Sequence, residues 1–580
     1  MRLRRVAVAV IAAALLLHCA VPASASAQTL PSGTSAEEIG GKIEAFVEAH
    51  GDTTAGMAVS VFGPEQESYT GCFGCIDLEN DVRTDEDAVF EWGSATKLLV
   101  WVSVMQLQEQ GKLDLDADIR TMLPEGYLKN LRFDAPVTLR NLMNHNAGFQ
   151  ECPYKVSCRS EAELEPLGEL LSRNQPSQVF APGERVAYSN WGVALAGYLV
   201  ERVSGQEFYA YVNEHIFAPL EMRHASVKPD YRDNGFVRSR WEQLRFYSTA
   251  CEPLSNARYF IAMYPAGSCV STIGDFTRFG QALLSPDSPL FSDPATYETF
   301  FSPTMTYPGT EIPRNCHGMW MEPFGVMTFG HGGNTAGCSS YLLVDPVNHV
   351  GVCVMTNQYG ESVYNVEMME LVFGRFDAAA WGLTNQTLPE GFFRTTRTVF
   401  WGPLKLYSLL GISRAEGEGD ETFFLYDPAE GIYRVPYGDA FQIPTALVIF
   451  EWAMAGLWGV SSLTGGVLLI IALIKKLKRS SKQIGRLPLL LSALQFSAAP
   501  LLAYLIVSAI SFSAPAAFRW CYWVFCAILI ALVAVWVALL LQQLRRKEPA
   551  AKGCRILALC TGAVSIANLL YWNLFMFWVS

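Results

Sequence analysis

Histidine is scarce in this chain, eight residues in 580, and only 17% of the chain is charged. With so few imidazoles, the close pair Cys72 and Cys75 lacks the companions a zinc site needs. A loop disulfide or separate thiols are expected there, and neither a metal nor another cofactor. A basic excess is missing too, since 43 lysines and arginines face 55 acidic residues. No segment repeats at a fixed period, which sets aside solenoids and propellers. The length exceeds what one core supports, so at least two units are expected.

Apolar residues are plentiful, 51% in all, and they gather at the two ends. Residues 1–27 have a secretory pattern: Arg2, Arg4 and Arg5, an apolar stretch, then small residues with cleavage expected after Ala27. From Ile443 onward, four runs (446–474, 487–512, 521–541 and 556–579) are each long enough to cross a bilayer. Lysine and arginine collect in the first and third joining loops, at 475–486 and 545–555. By the positive-inside rule those loops are cytoplasmic. Residues 28–442 are then outside, in agreement with a signal peptide. The signal carries +3 and residues 443–580 carry +10, so the total of −12 leaves −25 on 28–442. A domain that acidic argues against nucleic acid and against docking on anionic lipid.

Nine of the fourteen cysteines fall in this exported part, where disulfides persist. Cys152–Cys158 and then Cys251–Cys269 are the candidate pairs; Cys353, in an apolar run, is expected to be a buried thiol. Alternation over 56–62 and 67–71 predicts a hairpin, and 326–329, 339–344 and 350–355 predict three more strands. Helices are expected over 94–110, 161–172, 191–203, 273–284 and 363–373. Strands from both ends of the segment with helices between them predict an α+β fold. Residues 376–442 read as a juxtamembrane linker. It holds an amphipathic stretch at 397–412, an acidic glycine-rich stretch at 416–421 and one strand pair at 423–425 and 432–435. Asn385-Gln386-Thr387 is a glycosylation sequon.

The chemistry-bearing stretch is Glu91-Trp92-Gly93-Ser94-Ala95-Thr96-Lys97, at the head of an apolar helical run. A serine and a lysine three apart share a helix face, beside unpaired first-turn N–H groups. Alone this pattern is common, and most often marks an N-cap serine with a solvated lysine. Tyr188-x-Asn190 ahead of a helix and His331-Gly332-Gly333 opening a strand are equally weak alone. A lone tyrosine is most often half-buried core, and a lone histidine most often structural.

In this order the three motifs resemble those of the serine β-lactamase/penicillin-binding superfamily. The resemblance is closest to its class C-like branch, of peptidase S12 type, and covers roughly residues 35 to 375. It implies an antiparallel sheet flanked by helices, with a helical subdomain, over 28–375, followed by an all-α transmembrane bundle over 443–580. It also implies an acyl-enzyme on Ser94, with Lys97 as base and Tyr188 in the proton network. Asn190 would hold Lys97 and the substrate. The backbone N–H groups of Ser94 and Asn334, past Gly333, would form the oxyanion hole. His145 is expected only to stabilise its loop. Many relatives carry lysine where His331 stands. A histidine, only partly charged near neutrality, suits an amide or ester without a carboxylate anchor. The added helices resemble those of the prodrug-activating D-amino-acid peptidases of colibactin-maturation type. The expected protein is a membrane-anchored, extracytoplasmic serine hydrolase. Its expected partners are the lipid bilayer and a small-molecule or peptide substrate, with an amide in a peptide or acylated D-amino acid as the target. An esterase and a catalytically silent sensing ectodomain are the alternatives.

Overall fold

The structure, a computed structural model, describes residues 29–152, 156–383, 389–402, 404–415, 425–479, 484–510, 519–545 and 552–576. The signal-like segment, the sequon and the acidic stretch at 416–421 lie outside the described residues.

Strand β1 (Gly56–Phe62) is buried along its whole length. Its alternate side chains serve two cores, as the two-residue period of a strand requires. Met57, Val59 and Val61 face helix α1 (Ile39–Ala49) through Ile39, Ile43 and Val47. Ala58 and Phe62 face the opposite side. There lie helices α2 (Lys97–Glu109), α3 (Asn190–Ser204) and α4 (Ile273–Leu284). The other strands of this sheet are β2 (Glu67–Asp77), β3 (Val82–Arg83), β4 (Met305–Thr306), β5 (Pro313–Cys316), β6 (Met319–Pro323), β7 (Met327–Asn334), β8 (Ser339–Asp345) and β9 (Val350–Thr356). Their order is β3-β2-β1-β9-β8-β7-β6-β5-β4. β1 pairs antiparallel with β9, Val59 opposite Val354, so the two ends of the α+β domain close its centre as expected.

Helix α2 is buried on every side from Lys97 to Leu107. It therefore shows no polar stripe, and its burial comes from packing all round. The helix expected at 161–172 is interrupted. Glu161–Glu163 is a single 3-10 turn, and the helix proper is Leu167–Arg173. Pro166 separates them, because the residue before a proline is pushed out of the helical region. Cys353 is fully buried, and Cys251 and Cys269 remain separate thiols.

The segment expected as a linker is a second folded layer. Strands β10 (Gly391–Thr395), β11 (Ile412–Ala415), β12 (Leu425–Asp427), β13 (Ile432–Val435) and β14 (Gly438–Ile443) form a sheet in the order β11-β10-β14-β13-β12. The strand pair at 425–427 and 432–435 is one corner of it. Of the amphipathic stretch, only Lys405–Gly411 is helical, in 3-10 form. This sheet docks on the first through a buried ion pair. Arg314, on β5, lies 2.8 Å from Asp439, on β14. The same guanidinium donates to the carbonyls of Val435 and Gly438, and Asp439 also accepts the N–H of Val186 at 2.9 Å.

Among the described residues, four helices are long and apolar enough to cross a membrane: α5 (Thr445–Leu477), α6 (Arg486–Ile510), α7 (Arg519–Arg545) and α8 (Lys552–Tyr571). The second sheet joins them. Arg394 on β10 pairs with Glu451 on α5, and Tyr571 on α8 donates to the same carboxylate at 2.9 Å. Leu404 and Leu409 pack into the apolar core of the bundle.

Removing one partner of a buried ion pair strands the other charge. Asp439→Ala is expected to destabilise the protein by about 3 kcal/mol. Thermal unfolding of the full chain in detergent checks this.

Candidate active site

Ser94 lies in a 3-10 turn, Gly93–Thr96, that runs directly into α2 at Lys97. The turn starts from Gly93 at φ +52°, a left-handed conformation that favours glycine. A Cβ there would stand 2.7 Å from the backbone N of Asn334. Just before it, Trp92 fixes the entry, its indole N–H donating to Ser271 Oγ at 2.8 Å. Its ring packs on Phe276 at 4.2 Å. Ser94 is thus held on a short rigid turn and stays partly open to solvent.

Lys97 is fully buried. Its Nζ lies 2.9 Å from Ser94 Oγ, 2.8 Å from Asn190 Oδ1 and 2.6 Å from the carbonyl of Ala266. Burial holds this amine well below the usual lysine range. A neutral amine has two N–H donors and one lone pair. Asn190 Oδ1 and Ala266 O are pure acceptors, so they take both donors. The lone pair then faces the Ser94 hydroxyl, which is the geometry a general base needs.

Tyr188 reaches the same point from the loop ahead of α3. Ser189 caps that helix, accepting the N–H of Gly192 at 3.0 Å. Asn190 is its first residue, one turn of packing away from α2. Burial raises the Tyr188 hydroxyl above the usual phenol range, and the neighbouring Ser94 hydroxyl opposes that rise in part. Its ring stacks on His145 at 4.3 Å. His145 Nδ1 accepts the N–H of Ser189 at 3.0 Å, and the His145 carbonyl accepts that of Ala187 at 2.8 Å. His145 therefore holds the Tyr188 loop, whereas the sequence pointed only to its own loop.

Sequence reasoning gave His331 partial charge and a place at the substrate. It is buried on β7 behind Tyr188, and burial takes it down to about 3. Its Nδ1 lies 2.6 Å from the Gly332 carbonyl, which only accepts, so Nδ1 carries the proton. Nε2 is then an acceptor, 3.4 Å from the Tyr188 hydroxyl. The ring is neutral and lies beside Tyr188, the ring centroids 6.0 Å apart.

Gly333 brings β7 against the Ser94 turn. A Cβ on Gly333 would sit 1.8 Å from the Trp92 carbonyl and 2.9 Å from the Ser94 N. The backbones of Ser94 and Asn334 therefore lie side by side, where two amides can meet one oxyanion. Asn334 keeps its side chain exposed, its Oδ1 accepting from Ser339 Oγ at 2.6 Å.

Sequence reasoning missed three groups at this place. Arg397, just past β10, lies over the Tyr188 ring at 4.8 Å. Its Nε is 2.6 Å from Glu151 Oε2. Tyr437, between β13 and β14, packs on Tyr188 at 6.2 Å and on His331 at 5.5 Å. No local motif marks any of them. Among the described residues, no cluster of side chains suits a metal ion.

Gly333→Ala is expected to force β7 away from Ser94. The reactivity of Ser94 should fall by about 100-fold or more, and the unfolding temperature should fall with it.

The chain is similar to several known proteins. A family model described as Beta-lactamase matches residues 43–373. Putative penicillin-binding protein PbpX of Bacillus subtilis is 25% identical over 256 residues, covering 43% of this chain and 59% of that protein. Human mitochondrial serine beta-lactamase-like protein LACTB is 26% identical over 385 residues, covering 50% of this chain and 69% of that protein. The octameric penicillin-binding protein homologue from Pyrococcus abyssi superposes with a TM-score of 0.49 at 20% identity, covering 61% of this chain and 83% of that one. The match thus spans little more than half of the B. subtilis relative.

Proposed function

The chain belongs to the β-lactamase family, and from that premise we propose that it is a membrane-anchored serine hydrolase working outside the cytoplasm. The observation that carries this reading is the Lys97 amine, dry and with its lone pair left for the Ser94 hydroxyl 2.9 Å away.

Ser94 attacks a carbonyl carbon while Lys97 takes its proton. The developing oxyanion rests on the backbone N–H groups of Ser94 and Asn334. Tyr188, beside Ser94 and backed by His331, passes a proton to the leaving group. Asn190 holds Lys97 in place from α3, and its amide edge is available to the substrate. Water then attacks the acyl-enzyme, with the same groups returning the proton. The substrate is an amide in a peptide or an acylated D-amino acid. A neutral His331 supports a substrate that does not rely on a fixed cation at that position. The α5–α8 bundle anchors the chain, and the lysine- and arginine-rich joining loops support an extracytoplasmic place for the catalytic layers. The intact Ser94, Lys97 and Tyr188 weigh against a silent sensing domain.

A fluorophosphonate probe is expected to label wild-type protein and to lose about 100-fold or more in rate on Ser94→Ala. Equal labelling of both forms removes the proposal. Matched amide and ester substrates with one acyl group then decide the leaving group. Faster turnover of the ester alone, with no amide cleavage, makes the protein an esterase.

A further inference from the structure

The family match ends at residue 373, yet the next folded layer reaches back to the centre of the site. Thr396, directly after β10, is buried. Its hydroxyl donates to the Val186 carbonyl, two residues before Tyr188, and its N–H donates to Asp439 O at 2.9 Å. The Glu151 N–H donates to Thr398 O at 3.1 Å. Gln150 accepts the N–H groups of Phe400 and Trp401 at 2.9 Å each, and donates to Trp401 O at 2.8 Å. Arg397 is therefore pinned on both flanks, to the loop before Tyr188 and to the strand-like segment at 150–151.

A charge held this firmly acts on its surroundings without reorganisation. The guanidinium and the Lys97 amine sit against the same aromatic ring, at 4.8 and 5.0 Å from the Tyr188 centroid. Arg397 leaves 48% of its side-chain surface open, so it lines the mouth of the cleft instead of vanishing into a core. The groups facing Lys97 are known from each packed element. Ser94 and Asn190 are neutral, Ala266 offers a carbonyl, and Tyr188 is a phenol held protonated by burial. His331 and His145 are both kept uncharged by burial. Among the described residues, the charges left to bear on the amine are the Arg397 cation and the Glu151 carboxylate that partly offsets it, and they push its proton affinity in opposite directions.

We propose that Arg397 is a positioning residue of the hydrolase: fixed over Tyr188 by the second sheet, it sets a cation against the same ring as the Lys97 amine, adding to what burial already does, and Glu151 limits its effect. The catalytic unit then extends past the family domain into 391–443. This inference rests on the reading of Ser94 as nucleophile and Lys97 as its base.

Sign and size follow directly. A neutral amine is the active form, so reactivity rises with pH through the Lys97 midpoint. Removing a nearby cation makes protonation easier and moves that midpoint up. Removing the offsetting carboxylate moves it down. One unit charge near the protein surface is worth roughly half to one pH unit at this range.

The test is the second-order rate of fluorophosphonate labelling against pH, on the full chain in detergent micelles. Arg397→Gln is expected to shift the rising limb upward by roughly half a pH unit or more. Arg397→Lys, which keeps the charge, should restore it, and Glu151→Gln should shift it downward. An unmoved limb in Arg397→Gln, or shifts of the same sign in Arg397→Gln and Glu151→Gln, overturns the inference. Labelling that survives Ser94→Ala overturns the proposed function instead, so the two failures are told apart. Purely structural damage would lower the plateau rate and the unfolding temperature without opposite movements of the limb.

Discussion

Lys97 keeps its amine against two acceptor oxygens and one serine hydroxyl, with no solvent reaching it. Each of these contacts comes from a different part of the chain. Ser94 belongs to the turn that opens α2, Asn190 to the first residue of α3, and Ala266 to a short helical turn before α4. The helical subdomain is therefore packed around one desolvated nitrogen. A charged ammonium there would lack hydration and face no carboxylate in contact, so the neutral form is the one the fold accommodates. The same burial acts on His331 and His145, and it strips charge from every imidazole near Tyr188.

Much of this was legible in the amino-acid order. Ser94 and Lys97 could be read because their relation is local, three residues on one helix. The hairpin at β1 and β2, the strands β7 to β9 and the four apolar helices carry their own periodicity or length. The α+β class followed from strands at both ends of the segment. His331 was half legible: its place on β7 was expected, but its neutrality depends on how deeply tertiary packing buries it, which no neighbour in sequence reports.

Arg397, Glu151 and Tyr437 were not legible at all. Arg397 lies more than two hundred positions from Tyr188, and it belongs to a sheet whose strands have three to six residues. β10 pairs with β14 across nearly the whole segment, so no hairpin signal announces the pairing. Short strands joined by distant partners look like linker, and a run such as Thr396-Arg397-Thr398 carries no pattern of its own. What fastens the sheet to the first layer, the ion pair of Arg314 and Asp439, is likewise formed by residues far apart in the chain.

Strand β10 has one further property. Arg394 is engaged by Glu451 of α5, while Thr396, two residues on, grips the backbone before Tyr188. A single residue separates the hold on the helices from the hold on the backbone before Tyr188. A displacement of α5 would therefore be handed to that backbone through one short strand.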